Sequence, residues 1–187
     1  MTNPEDLKDA PVNIETAKPE DIGKIVAIEE ATWITTYPNN EVGITEADIR
    51  NRFNPQFKTQ RKVEIEGEIQ NPNHRYRLVK KGNEVIGYTH ALKEEEYNDL
   101  VEIYIDPRFH GQKVGSIAMK DMLDWFGGDK SIRLEVSIYN KNAIAIYEHY
   151  GFVLAPYLQL ADDEIWNVLP SGKRIPVQFM EKPAIGK

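Results

Sequence analysis

The 187-residue chain has no cysteine and a net charge of −7. That excludes disulfides and thiolate metal sites, and it argues against nucleic acid as a partner while permitting a cationic substrate. No apolar run reaches the ~18 residues of a membrane span, the polar and acidic start is not a signal peptide, and one domain over residues 1–187 is expected, with 1–11 flexible, in a cytoplasmic protein.

Val12–Thr16 alternates and reads as a first strand. Pro19 suits a first helical position, with Glu20 and Asp21 in the first turn. Ile22, Ile25, Val26 and Glu29 then give a helix face running towards Trp33. Residues 31–38 are less regular, because β-branched and aromatic residues crowd them, and Pro38-Asn39-Asn40 ends the segment. Thr45 can cap a second helix, with Asp48 in the capping-box place and Ile49 and Phe53 at i, i+4. Asn54-Pro55 breaks that helix. A charged helix with a thin apolar face follows from Phe57 to Ile69.

Tyr76 and Leu78 mark a second strand. Lys81-Gly82-Asn83 turns the chain and Glu84–Leu92 returns it, giving a hairpin. The acidic run Glu94–Asp99 leads into the strand Leu100–Ile105, which Asp106-Pro107 stops. A tight basic turn comes next, Arg108-Phe109-His110-Gly111-Gln112-Lys113, with Gly115 just inside a helix. On that helix Lys113, Ser116, Lys120 and Asp124 form a polar stripe, and Val114, Ile117, Ala118, Met122 and Trp125 an apolar one.

A strand, a glycine-bearing basic turn and a helix make an anion site. The first helical N–H groups lack internal partners, and the helix dipole favours negative charge there. Gly111 and Gly115 leave room for a phosphate, and Arg108, His110 and Lys113 add positive charge. The turn is neither a P-loop nor a dinucleotide fingerprint. An ordinary strand–helix connection with surface basics is the competing reading.

Ile132, Leu134, Val136 and Ile138 alternate as a further strand. Asn140 is a plausible cap for a helix with Ala143, Ile146, Tyr147 and Tyr150 at helical spacing, and Gly151 stops it. Val153–Leu160 reads as a strand. Ile165–Leu169, a Pro170–Lys173 turn and Arg174–Lys182 read as a hairpin-like ending. The order β-α-α-β-β-β-α-β-α-β-β predicts an α+β fold, a three-layer α/β arrangement around a mixed sheet.

The segments H-G-Q-K-V-G-S and N-x-x-A-I-x-x-Y-E-x-x-G-F together resemble the GCN5-related N-acetyltransferases, the GNAT superfamily. The resemblance spans Val12 to Lys182, with its motifs in residues 100–152. In that family Q/R-x-x-G-x-G/A holds the coenzyme A pyrophosphate. Here His110 stands at the usual Gln or Arg and Lys113 at the first Gly, while Gly115 fills the last position. The resemblance implies a mostly antiparallel sheet and acetyl-CoA as cosubstrate. It places the cofactor on His110, Gly111, Gln112, Lys113, Val114, Gly115 and Ser116, on the strand amides of Ile103, Tyr104 and Ile105, and on Asn140, Ala143 and Tyr147.

Acetyl transfer needs a neutral amine, yet aliphatic amines have a pKa of about 10. A base must take a proton, donors must hold the oxyanion, and an acid can protonate the thiolate. Tyr147 is the candidate acid, though its helix face also fits a core tyrosine. Glu102 is the candidate base and a substrate contact, and Glu135 and His90 are rivals. The four histidines, 74, 90, 110 and 149, show no pairwise ligand spacing, and no metal is expected. By the family resemblance, residues 33–40 and 94–99 line the acceptor cleft, with Trp33 and Tyr37 contacting substrate. The stretch W-x-x-T-Y-P resembles that region of bacterial polyamine acetyltransferases. The other reading packs Trp33 and Tyr37 on the sheet.

The expected function is acetyl-CoA-dependent N-acetylation of a small-molecule primary amine, by direct transfer through a tetrahedral intermediate. Acetylation of a protein N-terminus or lysine, and a non-catalytic acyl-CoA binding module, are the alternatives. By family analogy the final hairpin offers an edge for a homodimer.

Overall fold

A computed structural model describes residues 7, 10–158 and 167–186. Its strands are β1 (Val12–Thr16), β2 (His74–Lys81), β3 (Glu84–Lys93), β4 (Asn98–Ile105), β5 (Ile132–Ser137), β6 (Val153–Leu154) and β7 (Val177–Lys182). Its α-helices are α1 (Ile22–Thr36), α2 (Glu46–Arg52), α3 (Pro55–Gln70), α4 (Val114–Phe126) and α5 (Lys141–His149). The strands form one seven-stranded sheet in the order β1-β2-β3-β4-β5-β7-β6. Every pairing is antiparallel except β4 with β5. This is the expected mixed α+β fold, and the three helices between β1 and β2 are the three read from the sequence, one more than the order β-α-α-β-β-β-α-β-α-β-β counts.

Local chemistry explains most element ends. Thr45 and Asp48 form a reciprocal capping box at α2, satisfying two orphan donors. The Asn54 side chain caps α3, whose first residue is Pro55. Asn140 accepts from the Ala143 amide at 3.2 Å and starts α5, and Gly151, at φ 87°, ends it. The chain stays helical through Thr36, against the irregular segment expected after Ala31. Burial of Thr32 and Trp33 outweighs their modest helix propensity.

One face of the sheet packs on α1 and α3, where Ile22, Ile25, Val26 and Ile65 meet Tyr76, Leu78 and Tyr88. Ile65 alone is buried on α3, so its apolar face is as thin as expected. On α4, Val114 and Ala118 meet Val79, Ile86 and Ile105, and Met119, Met122 and Phe126 join the cluster with Leu100, Ile132 and Leu134. Ile117, Ile138 and Ile146 are exposed instead of joining their expected apolar rows. Ile138 lies beyond the last residue of β5. Of the strand expected over Val153–Leu160, only Val153–Leu154 forms, and residues 159–166 lie outside the described residues. The expected final hairpin is reduced to a Val168–Arg174 bridge before β7. No helix among the described residues is long and apolar enough to cross a membrane.

Candidate active site

The site is made by a parting of two strands. β4 and β5 pair only at Asn98–Ile132 and Asp99–Arg133. Beyond those pairs the strands separate, and the second half of β4 has no ladder partner on that side. A bulge shifts the β3–β4 register between His90–Glu102 and Ala91–Leu100, re-aiming the strand where it enters the gap. The gap is a cleft of 940 Å³ floored by Val101–Ile105, with the N-terminus of α4 on one side and α5 on the other.

Ser116 and Ile117 are the first α4 amides to bond a carbonyl, that of Lys113. Lys113, Val114 and Gly115 come before them and line the cleft with His110, Gly111 and Ser116. Lys113 adopts φ 60° and is the one non-glycine residue with positive φ among those described. This left-handed backbone is one that glycine adopts at no steric cost. Gly111 has φ 77°. A Cβ on Gly115 would meet open space.

Two residues expected here turn away. Arg108 pairs with Asp106 and Glu84. The Gln112 side chain accepts from Lys81 Nζ at 2.5 Å, and Gln112 is absent from the cleft lining. Lys141, the residue after the Asn140 cap, lines the cleft and escaped the sequence reading because no motif position marks it. Asn140, Ala143 and Tyr147 line it too. Tyr147 is buried, with its ring against Phe152. Burial pushes its hydroxyl pKa above the usual tyrosine range, which keeps the O–H protonated. Its hydroxyl makes no hydrogen bond among the described residues, so it is an available donor at the cleft.

A second cavity of 360 Å³ lies beside the first. Tyr37, Val101, Glu102, Tyr104 and Glu135 belong to both linings. Trp33 lines the smaller cavity and donates its indole N–H to Tyr104 Oη at 3.0 Å. Trp33 and Tyr37 are thus both packed residues and cavity walls. Of the acidic run 94–99, only Asp99 reaches the lining. Residues 94–98 sit elsewhere, because β4 begins at Asn98 on the far side of the gap.

Glu102 is held by a group no sequence motif indicated. Arg61 on α3 donates to Glu102 Oε1 at 2.8 Å and to Glu29 Oε2 on α1 at 3.2 Å. Burial and the charge of Glu102 push Glu29 up to about 7. Burial also works to raise Glu102, but Arg61 overrides it and holds that carboxyl down, to about 2. The two carboxyls titrate as one unit, with burial raising both and the shared Arg61 lowering both.

His74 and His90, without ligand spacing in sequence, become neighbours through the β2–β3 pairing. His74 Nδ1 lies 2.9 Å from His90 Nε2, with the rings 19° from parallel. Glu68 completes a group whose ligand atoms lie within 4.8 Å of one another. The imidazoles engage each other, and Glu68 accepts from Tyr76 Oη at 2.5 Å.

A sequence model of the acetyltransferase (GNAT) family matches residues 44–152. The chain belongs to that family. It is an N-acetyltransferase that uses acetyl-CoA. The fold of this acetyltransferase is similar to the PaiA N-acetyltransferase of Thermoplasma acidophilum in complex with coenzyme A, at 18% identity and a TM-score of 0.66, covering 92% of this chain and 99% of that one. It is similar to the ribosomal-protein-S18-alanine N-acetyltransferase of Escherichia coli at 18% identity and TM-score 0.62, covering 95% and 96%. Ard1 from Thermoplasma volcanium is similar at 21% identity and TM-score 0.62, covering 94% and 99%. Among curated protein sequences none matches.

Cleft and coenzyme agree in chemistry. The α4 start presents amides without helical partners and glycines, chemistry that suits an anion. Lys113 and Lys141 line the same cleft, and the second half of β4 has no ladder partner on that side.

Proposed function

We propose that residues 1–187 act as one cytoplasmic acetyltransferase domain that moves an acetyl group to the primary amine of a small molecule. One observation carries this reading: two cavities meet at a shared wall, the larger suited to a coenzyme and the smaller to an acceptor. The smaller lies in the size range of small-ligand sites. Its lining has six carboxylates (Glu29, Glu64, Glu68, Asp99, Glu102, Glu135) against two guanidinium groups, Arg52 and Arg61. That balance favours an ammonium ion.

In the proposed reaction the acetyl carbonyl sits at the shared wall, on the amides of Ile103, Tyr104 and Ile105. The α4 start holds the pyrophosphate, and Asn140 and Ala143 flank the arm. The Glu29–Arg61–Glu102 unit takes a proton from the ammonium. The neutral amine attacks the thioester carbon, a C–N bond forms, the nitrogen gives up its second proton to solvent, and the tetrahedral oxyanion collapses with loss of the C–S bond. Tyr147 donates its proton to the departing thiolate and regains one from solvent. The sum is one ammonium ion and one thioester converted to an amide, a thiol and one proton. Much of the rate comes from holding both substrates together.

Some neighbours of similar fold act on proteins, as the name of the S18-alanine enzyme states. The test is thiol release from acetyl-CoA with spermidine, spermine, amino acids, aminoglycosides and an N-terminal peptide mix. Turnover of a small amine supports the reading. Turnover of the peptides alone replaces it with protein acetylation.

A further inference from the structure

Arg52, the last residue of α2, lacks the ion pair that most of the described arginines make. Arg61, Arg75, Arg77, Arg108 and Arg133 each have a carboxylate within 4 Å. Arg52 is partly buried and has none among the described residues. Its guanidinium lies 4.5 Å from the Trp33 ring and 4.8 Å from the Phe57 ring. Its one hydrogen bond is a long contact of 3.4 Å to the Val168 carbonyl. Its Nε is buried with no partner. The two rings fix the plane of the fork without satisfying its N–H groups.

Arg52 feels the charge of Glu29 at a distance but has no direct ion pair among the described residues, and a largely buried cation without a direct partner is costly. A planar fork held between aromatic faces is built for bidentate carboxylate binding. Arg52 lines the smaller cavity and does not belong to the wall shared with the larger one. An acceptor with its amine at that wall therefore extends towards Arg52. We infer that the acceptor carries a carboxylate as well as its amine, and that Arg52 selects for it. The inference rests on the acetyltransferase reading and narrows the acceptor from a simple polyamine to an amino acid.

The pocket can hold such a zwitterion. Four of its six carboxylates lie within 4 Å of Arg61, so the acidic lining is already partly neutralised on that side. Arg52 is the lining cation that no carboxylate directly pairs among the described residues.

The test uses matched pairs that differ by one carboxylate: lysine against cadaverine, and ornithine against putrescine. Thiol release from acetyl-CoA is measured with wild type, Arg52→Gln and Arg52→Lys. The wild type is expected to favour the amino acid in kcat/KM by on the order of tenfold or more, the worth of a charge-assisted pair. Arg52→Gln is expected to bring that ratio towards one by raising KM for the amino acid. Arg52→Lys is expected to restore part of it, and melting temperatures check that each variant is folded. Wild type that prefers the diamines overturns the inference and leaves the acetyltransferase reading standing, as does Arg52→Gln lowering both members of a pair equally. If no amine is acetylated although acetyl-CoA binds, the small-amine reading falls and the inference falls with it.

Discussion

Arg61→Met should be among the most damaging single changes in this chain. The Arg61 side chain is 12% exposed, and it bridges Glu29 at 4% and Glu102 at 12%. Methionine fills similar volume but removes the guanidinium that both carboxyls bond directly. Breaking such a buried pair costs about 3–5 kcal/mol, and for a chain of this size that lowers the melting temperature by on the order of 10 °C. The loss has a pH signature. Burial is the largest influence on both carboxyls and raises each, so removing Arg61 shifts both upward. A group raised on folding destabilises once the pH exceeds its unfolded pKa, so the penalty is full near pH 8 and shrinks as pH falls towards 4.5. Thermal unfolding followed by circular dichroism from pH 5 to pH 8 measures it. A deficit below ~1 kcal/mol at pH 7.5, or one equal at both ends of the range, would refute the reasoning.

Other outcomes follow from the same geometry. Tyr147→Phe should lower kcat by about 100-fold, as for loss of a positioned acid, and leave acetyl-CoA affinity nearly unchanged, since the ring still packs on Phe152; equal kcat values would remove Tyr147 from the chemistry. In wild type kcat/KM should rise with pH through about 7, as Glu29 loses its proton, and Glu29→Gln should displace that limb; a superimposable pH profile would assign it to another group. Gly87→Ala would bring a Cβ to 2.6 Å from the Tyr104 carbonyl and from Ile105 Cδ1. It should cost about 1–3 kcal/mol in urea unfolding, and a neutral result would show that β3 and β4 part easily.

Residues whose role is local were legible in the sequence. The Thr45–Asp48 box, the Asn140 cap and the Gly151 stop each act within a few residues, and each sits where its chemistry placed it. The turn before α4 was legible as backbone but not as side chains. Arg108 finds Asp106 and Glu84, and Gln112 finds Lys81 across 31 positions. A partner so remote leaves no local pattern. The same reason hid the Glu29–Arg61–Glu102 unit, drawn from α1, α3 and β4, and the His74–His90 contact, set by strand register. Trp33 to Thr36 misled in the opposite direction, since propensity argued against a helix that tertiary burial holds together.

The central claim is that the start of α4 holds the coenzyme, and Gly115→Leu tests it most directly. A Cβ at Gly115 meets nothing within 4 Å, and leucine is the better helix former, so the fold should be unharmed. The added side chain projects into the space assigned to the pyrophosphate. Calorimetric titration with acetyl-CoA should show affinity reduced by roughly tenfold or more, a loss of about 1.4 kcal/mol, with the melting temperature equal or higher. Affinity within about twofold of wild type, in a folded variant, would mean that the coenzyme lies elsewhere.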